Sequence, residues 1–333
     1  MLKNKTLKGR LAGVVAVASA LALSMVLLSG CSSEESPAPE GEGDAQQQVE
    51  AEPGAIDAAA FDALIAGGPV ATDEAIAASE WATAVKEAGV LRVGGVQTST
   101  LFSLLNEVDG VTRGFDAGLY QLLANYILGD STAIEFTQVT SDTRESVLQN
   151  DQVDAVFATY TINAARSELI SFAGPYYASQ QAILVKADNT DINGLEDLDG
   201  KNVAVQSGSN GPGIMDEYAP GAIQQAFATD EEARTALEQG RVDAYVIDET
   251  MQLGSMLKNP GKYRMAGEHF GDVDPYGIGL PLNSDGVAFV NDFLNQLIAD
   301  GTWEQLWKIS LGDRTGVESA PEAPAVGDLS FLG

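Results

Sequence analysis

Twice along this chain the same order of apolar runs recurs, and that repeat most narrows the folds open to it. The first round opens with LRVGGV (91–96). A helical stretch over 116–128 follows, with Leu119, Leu122, Leu123, Tyr126 and Ile127 at i, i+3, i+4, i+7 and i+8 spacing. A strand at 133–138, a helix at 142–150 and the run VDAVFA (153–158) complete it. The second round has KNVAV (201–205), a helix near 210–218, a strand near 221–226, a helix at 230–239 and VDAYVI (242–247). A shift of 89 residues brings Leu148, Val153, Asp154 and Ala155 onto Leu237, Val242, Asp243 and Ala244. Strands alternating with helices require crossover connections and parallel sheets. The fold class is therefore α/β with two sheets, and 333 residues suit two domains.

Beyond Asp248 the pattern changes. A helix (249–258), a strand around Tyr263–Met265, the run YGIGL (276–280) and a helix over 284–299 have no counterpart in the second round. That last helix carries Val287, Val290, Leu294, Leu297 and Ile298, and Trp303 and Trp307, four apart, mark one more. These late elements are expected to return to the first domain, which requires two crossings, near 179–183 and 266–271. Paired crossings make a hinge, because two connecting segments bend together while keeping the lobes joined. The expected organisation is lobe 1 over 91–180 and 271–312, and lobe 2 over 181–270.

In open parallel sheets, ligands sit beyond the carboxyl ends of the strands. Strand ends of equal rank in the two rounds are Val96-Gln97 and Val205-Gln206, and Thr159 and Asp248. Two facing sheets would point Thr159, Thr161 and Arg166 at Ser209 and Asp248 across a cleft. The stretch 153–177 is the richer half, since VDAVFA empties into Thr159-Tyr160-Thr161 and then a short helix carrying Arg166. Hydroxyls, free N–H groups at a helix start and a guanidinium suit a carboxylate. The same residues also fit an ordinary strand–turn–helix with a solvated arginine.

The ends of the chain read differently. Residues 1–31 have a basic start, an apolar run from Leu11 to Leu28, and then Leu28-Ser29-Gly30-Cys31. This resembles a bacterial lipoprotein signal: 1–30 would be removed, and Cys31 lipidated to hold the protein on the membrane. Residues 31–56 are rich in Ser, Glu, Pro, Gly, Ala and Gln without periodicity, and read as a disordered tether. An N-terminal extension (57–90) contains helix-like segments at 57–66 and 74–89, the second packed on lobe 1. Segment 313–333 reads as a disordered tail.

Charge and rare residues exclude several classes. Bases number 18 against 48 acids, and Lys3, Lys5, Lys8 and Arg10 fall in the leader, so the mature chain carries 14 bases and a net charge of −34. Such a surface repels nucleic acid and anionic headgroups. One cysteine rules out an intrachain disulfide and a zinc cluster. The single histidine, His269, has no nucleophile near it in sequence and reads as a surface or hinge residue. No cofactor, metal site or catalytic residue is expected.

Four pieces in their order and spacing resemble the polar amino-acid solute-binding proteins of ABC importers, of the glutamate/glutamine-binding type. They are Gly114-Phe115-Asp116; Thr161 to Arg166 with Phe172, Pro175 and Tyr176; Gln206-Ser207-Gly208-Ser209; and Gly240-Arg241-Val242-Asp243-Ala244 leading to Asp248. The resemblance spans roughly 90–310 and implies a two-lobed, periplasmic-binding-protein-like (type II) fold. It further implies that Arg166 takes the ligand α-carboxylate bidentately, helped by Thr161 and by the Ser209–Asn210 turn. Asp248, with Thr159, would hold the α-ammonium; a plain helix N-cap is the other reading of that aspartate. A monomer on the outer face of the cytoplasmic membrane would deliver its amino acid to a two-subunit permease driven by a cytoplasmic ATPase.

Three departures stand out. Gly118 replaces a frequent second aspartate, Gln97-Thr98-Ser99 stand where an aromatic is common, and Asn210-Gly-Pro-Gly replaces a hydroxyl. The side-chain pocket is therefore polar, with Gln97, Ser99 and Tyr160 as candidate lining. No acid lies between Val96 and Leu101, which disfavours a cationic ligand. A glutamate side chain would need another base, Arg113 or Arg144, whereas a glutamine needs only amides and hydroxyls. Two rivals share the fold: a cyclohexadienyl dehydratase-like enzyme, with Glu249 as its candidate acid, and a ligand-free interaction lipoprotein.

Overall fold

The protein is described here by a computed structural model covering residues 54–332; the leader, Cys31 and the segment to residue 53 lie outside the described residues. Three helices come first, α1 (Ala58–Ala66), α2 (Asp73–Ala77) and α3 (Glu80–Ala88). Asp57, Thr72 and Ser79 cap them, each side chain accepting an N–H of the first turn. The single helix expected over 74–89 is thus two, because Ser79 starts a new N-terminus in mid-segment.

The strand β1 (Leu91–Gly95) leads into a small antiparallel group, β2 (Thr98–Ser99), β3 (Ser103–Leu105) and β4 (Thr112–Arg113). Next come α4 (Phe115–Leu128), β5 (Ile134–Gln138), α5 (Arg144–Gln149), β6 (Ala155–Thr161) and the short α6 (Ala164–Ser167). The long β7 (Ser171–Lys186) carries the chain into the second lobe. That lobe holds β8 (Asn202–Gln206), α7 (Gly211–Tyr218), β9 (Ile223–Phe227), α8 (Asp230–Glu238), β10 (Ala244–Asp248), α9 (Glu249–Lys258) and β11 (Tyr263–Met265). The chain returns on β12 (Phe270–Leu280) and ends its main body with α10 (Gly286–Ala299) and α11 (Thr302–Trp307).

The large sheet runs β5-β1-β6-β12-β7-β10-β8-β9, with β11 also on β7. β1 pairs in parallel with β5 and β6, and β8 with β9 and β10, as the two rounds of the sequence require. β7 and β12 lie side by side, antiparallel, between the two parallel halves. Their register shifts between Ser179↔Asp274 and Gln181↔Phe270, so three residues of β12 face one of β7. This bulge bends the strand and marks the return crossing. It lies at 270–274, slightly beyond the expected 266–271.

Core packing explains the extension and corrects the tail. Nearly every side chain of α4 is buried, so the helix needs cover on its outer as well as its sheet-facing side. Phe61, Ile65, Ile76, Ala82 and Val85 of the first three helices supply it, joined by Phe293, Leu297, Trp303 and Leu306. Gly118 departs from the common aspartate for a packing reason: a Cβ there would meet Leu306 Cδ1 at 2.4 Å. The tail is not a free coil. Ala320, Ala323 and Val326 pack on the same core, and the Gly327 N–H donates to the Gly174 carbonyl at 2.8 Å. The tether likewise stops short of residue 56, since Ile56 packs on the core and the Gly54 carbonyl accepts from Arg314 Nε at 2.9 Å. The second lobe has its own core, built on Ile183, Val185, Val203, Val205, Met215 and Val246. Among the described residues no helix is long and apolar enough to cross a membrane.

Candidate functional site

The carboxyl ends of strands from both lobes converge on one cavity of roughly 90 Å³, room for several waters or one small polar molecule. Lobe 1 contributes Val96, Thr98 and Ser99 after β1, Gln138 to Ser141 after β5, and Ala158, Thr159 and Thr161 of β6. Lobe 2 contributes Gln206, Ser209 and Asn210 after β8, Ala228 to Asp230 after β9, and Asp248 at the end of β10.

The polar patch expected beyond β6 belongs to the strand itself. Strand alternation turns Thr159 and Thr161 into the cavity and Tyr160 to the opposite face. Tyr160 is fully buried and does not line the cavity; its ring lies under the Arg144 guanidinium, 3.9 Å from centroid to Cζ. Thr159 adopts φ 42°, uncommon for a β-branched residue. Its N–H donates to Asp116 Oδ2 at 2.9 Å, while the Tyr176 hydroxyl donates to Asp116 Oδ1 at 2.6 Å. Asp116 is fully buried, and that burial pushes its carboxyl up to about 6. The Gly114-Phe115-Asp116 motif thus holds the backbone of the binding strand from behind.

Arg166 sits in a four-residue helix capped by Asn163, whose Oδ1 accepts the Arg166 N–H at 2.9 Å. Its guanidinium is buried but does not line the cavity. Nη1 donates to the Thr161 carbonyl (2.7 Å) and Nη2 to the Gly208 carbonyl (3.0 Å), and Nε lies 3.6 Å from Glu145 Oε1. The open bidentate face expected of Arg166 is thus occupied by backbone carbonyls, one of them from lobe 2. Arg144 is the base in the wall. Its Nη1 and Nη2 make long bonds, each 3.3 Å, to the Ala158 and Gly208 carbonyls, and its Nε has no hydrogen-bond partner. Burial and then the Arg166 charge bring Arg144 down to about 10. Arg113 plays no part, being committed to Asp62 (2.7 Å) and Asp109 (2.8 Å).

The opposite pole is acidic. Asp248 is buried; it stands at the N-cap position of α9, but its side chain makes no capping bond there. Its Oδ1 accepts from Gln181 Nε2 (2.5 Å) and its Oδ2 from the Tyr276 hydroxyl (2.6 Å). Asp274, on β12, accepts from the same Gln181 Nε2 at 2.8 Å and from Asn210 Nδ2. Burial raises Asp248, and burial followed by repulsion from Asp248 raises Asp274 to about 7. Gln181, Asp274 and Tyr276 were not singled out in the sequence. They lie on the hinge strands, and only an alternating burial pattern there could have flagged them.

Other expected residues divide. Ser99 and Ser209 line the cavity, the Ser209 hydroxyl donating to the Gln206 carbonyl at 2.7 Å. Asn210 also lines it, held by Asp274. Gln97 does not; its amide donates to Thr112 Oγ1 at 3.0 Å on the outer side of the hairpin group. Across the seam the Ser207 hydroxyl donates to Asp142 Oδ2 at 2.5 Å, and Gln206 Nε2 to Ser141 Oγ at 3.3 Å. With Gly208 these contacts hold the lobes closed. Among the described residues no group of three or more His, Cys, Asp or Glu could hold a metal ion.

Residues 91–312 match the model of the bacterial extracellular solute-binding proteins, family 3. The chain belongs to that family. This solute-binding protein is 36% identical over 239 residues to the glutamate-binding protein GluB of Corynebacterium glutamicum, covering 68% of this chain and 80% of that one. It is 35% identical to the ABC transporter glutamine-binding protein GlnH of Bacillus subtilis, covering 65% and 79%. In fold it is similar to the solute receptor for L-cysteine of Neisseria gonorrhoeae, with a TM-score of 0.69 at 23% identity over 73% of this chain and 99% of that one. The type II, two-lobed architecture with two hinge crossings is thereby confirmed.

Proposed function

We propose that this protein is the substrate-binding component of an ABC amino-acid importer, and that L-glutamate is its preferred ligand. The carrying observation is the charge layout around the cavity: Arg144 in its wall with Arg166 behind it at one pole, and Asp248 in its wall with Asp274 behind it at the other. A zwitterion fits that axis, α-carboxylate toward the guanidiniums and ammonium toward Asp248. The Gly208 carbonyl now accepts from both Nη2 atoms; opening the lobes withdraws it and frees the donors for a carboxylate. Thr161 and Ser209 assist at the carboxylate end and Thr159 beside the ammonium, while Asn210, its amide on Asp274, belongs to the acidic pole.

Arg144 favours an acidic side chain, because it adds a second buried base whose Nε has no hydrogen-bond partner, only Glu145 Oε1 at 4.0 Å. The names of the relatives GluB and GlnH support glutamate and glutamine alike. Glutamine is the second reading: Asp230 in the cavity wall would repel a side-chain carboxylate yet accept from an amide. Turnover is disfavoured because Glu249 does not line the cavity; its Oε2 lies 3.9 Å from His269 Nδ1 at the surface.

The lobes are drawn at 91–180 with 271–312, and at 181–270. Ligand bridging both lobes favours the closed form, which docks on the permease. The protein is read as a monomer, held on the outer membrane face through Cys31 by a lipid anchor. Hydrogen bonds to charged groups contribute about 1.5–3 kcal/mol each. Several of them, less association costs, match a micromolar binder at about −8 kcal/mol. Titration calorimetry with a panel of amino acids tests the reading, and Arg144→Met should weaken glutamate at least about tenfold while changing glutamine far less. Equal losses for both ligands would remove the glutamate assignment, and no heat with any amino acid would remove the binding function.

A further inference from the structure

The ammonium pole has more acceptors than one ammonium binder needs. Asp248 Oδ1 and Asp274 Oδ2 accept from the same nitrogen, Gln181 Nε2, so a single amide group separates two buried carboxyls. No cation touches either one: among the described residues neither forms an ion pair within 4.0 Å, and Arg144 and Arg166 act on Asp248 only through space. Gln181 is itself fully buried, and its Oε1 has no donor. Like charges this close, in a low-dielectric site, cannot both stay ionised without a proton or a cation between them.

We propose that Asp274 is a positioning residue for the ligand, sharing one proton with Asp248 in the empty site and giving it up to solvent when the ligand ammonium arrives. The inference rests on the binding reading above, with Asp248 as the ammonium partner. No bond to carbon forms or breaks. The ammonium arrives with its three protons and takes the place of the proton that leaves.

The facing groups are consistent with this. From β12 the Tyr276 hydroxyl donates to Asp248, and it also meets Thr250 Oγ1 at 3.0 Å. From β7 comes the neutral Gln181, and from α7 the neutral Asn210, whose amide grips Asp274. Among the described residues the cations acting on the pair are Arg144 of α5 and Arg166 of α6, with Glu145 beside Arg166. Glu249 and His269 stand half-exposed on the outer side. The raised carboxyl of Asp274, about 7, places the shared proton in the neutral range.

The sign follows from linkage. The empty site binds the proton more tightly than the filled one, so binding releases it and affinity falls as pH drops below about 7. The test is calorimetry on the mature protein with L-glutamate and L-glutamine from pH 7.5 to 5.5, where the ligand carboxylates stay largely ionised. Measurements at pH 6.5 in buffers of low and high ionisation enthalpy count the protons released. We expect more than about half a proton released per ligand at pH 6.5 and a Kd rising roughly tenfold or more down to pH 5.5. Asp274→Asn should bring the release close to zero and flatten the pH slope, and Asp274→Glu should restore both. A buffer-independent enthalpy with a flat Kd overturns the proposal while leaving amino-acid binding intact. So does an undiminished release in Asp274→Asn, which would assign the proton elsewhere, Asp116 being the first suspect. Failure to bind any amino acid at any pH overturns the underlying reading as well. Should Asp274→Asn fail to fold, the wild-type proton count and Asp274→Glu still decide.

Discussion

Gly208 offers the sharpest test of how closely the lobes meet around a ligand. It has φ +69°, and a Cβ there would lie 2.6 Å from Asp142 Oδ1 and 2.7 Å from the Ser141 carbonyl of the other lobe. Gly208→Ala therefore carries two penalties that act on different states. The left-handed backbone costs about 1–2 kcal/mol whether the lobes are open or closed. The clash exists only when they are closed, and relieving it against backbone should cost about 1–3 kcal/mol. The first penalty lowers the melting temperature by a few degrees, at about 2–4 °C per kcal/mol for a chain of this size. The second subtracts from the closed, ligand-bound state alone and raises Kd by about 5- to 150-fold. Calorimetric titration and scanning calorimetry on the same preparation separate the two. A lowered melting temperature with wild-type affinity would show that the ligand-bound lobes never approach to this distance.

Asp248→Asn removes the charge opposite the ammonium, and Kd should rise about 10- to 150-fold, read by titration calorimetry. Asp116→Asn should change stability little near pH 4, where the protonated carboxyl, like an amide, offers one good acceptor between Thr159 and Tyr176. Its pH dependence has a definite sign. The folded carboxyl, at about 6, lies above the ordinary value near 3.9, so its contribution is full below about pH 4 and lost as pH rises to 6. The wild type should therefore lose about 2 kcal/mol relative to the variant between about pH 4 and pH 6, measured by urea unfolding at each pH. Removing residues 317–333 uncovers core contacts of Ala320, Ala323 and Val326 and should lower the melting temperature by several degrees with ligand affinity unchanged.

The alternation of strands and helices was readable because each element carries its own hydrophobic period, and the repeat of that order foretold two lobes. Local polarity misled where burial came from elsewhere. Thr159-Tyr160-Thr161 looked like a strand end, yet β6 continues through them: β12 pairs with Tyr160 and Thr161, and Asp116 satisfies the Thr159 N–H. The tail lacks any period, but its alanines and Val326 fit a surface already made by other helices. Within the candidate site, residues at the ends of repeated strands were legible from topology, and Thr161, Ser209 and Asp248 do line the cavity. Asp274 and Gln181 were not, because strand pairing, and no motif, puts them together across 93 positions of sequence. Arg144 could be named as a base in range, but only the folded chain shows it in the wall and Arg113 locked to two aspartates.

The helices that blanket α4 also bear on how the protein can be handled. The match to the family model begins at residue 91, but the folding unit does not. A fragment trimmed to the matched span would shed Phe61, Ile65, Ile76, Ala82 and Val85 and lay an oily flank of the first lobe open to water. Such a piece should be sticky in solution even with its cleft intact, so any expression boundary belongs upstream of Gly54.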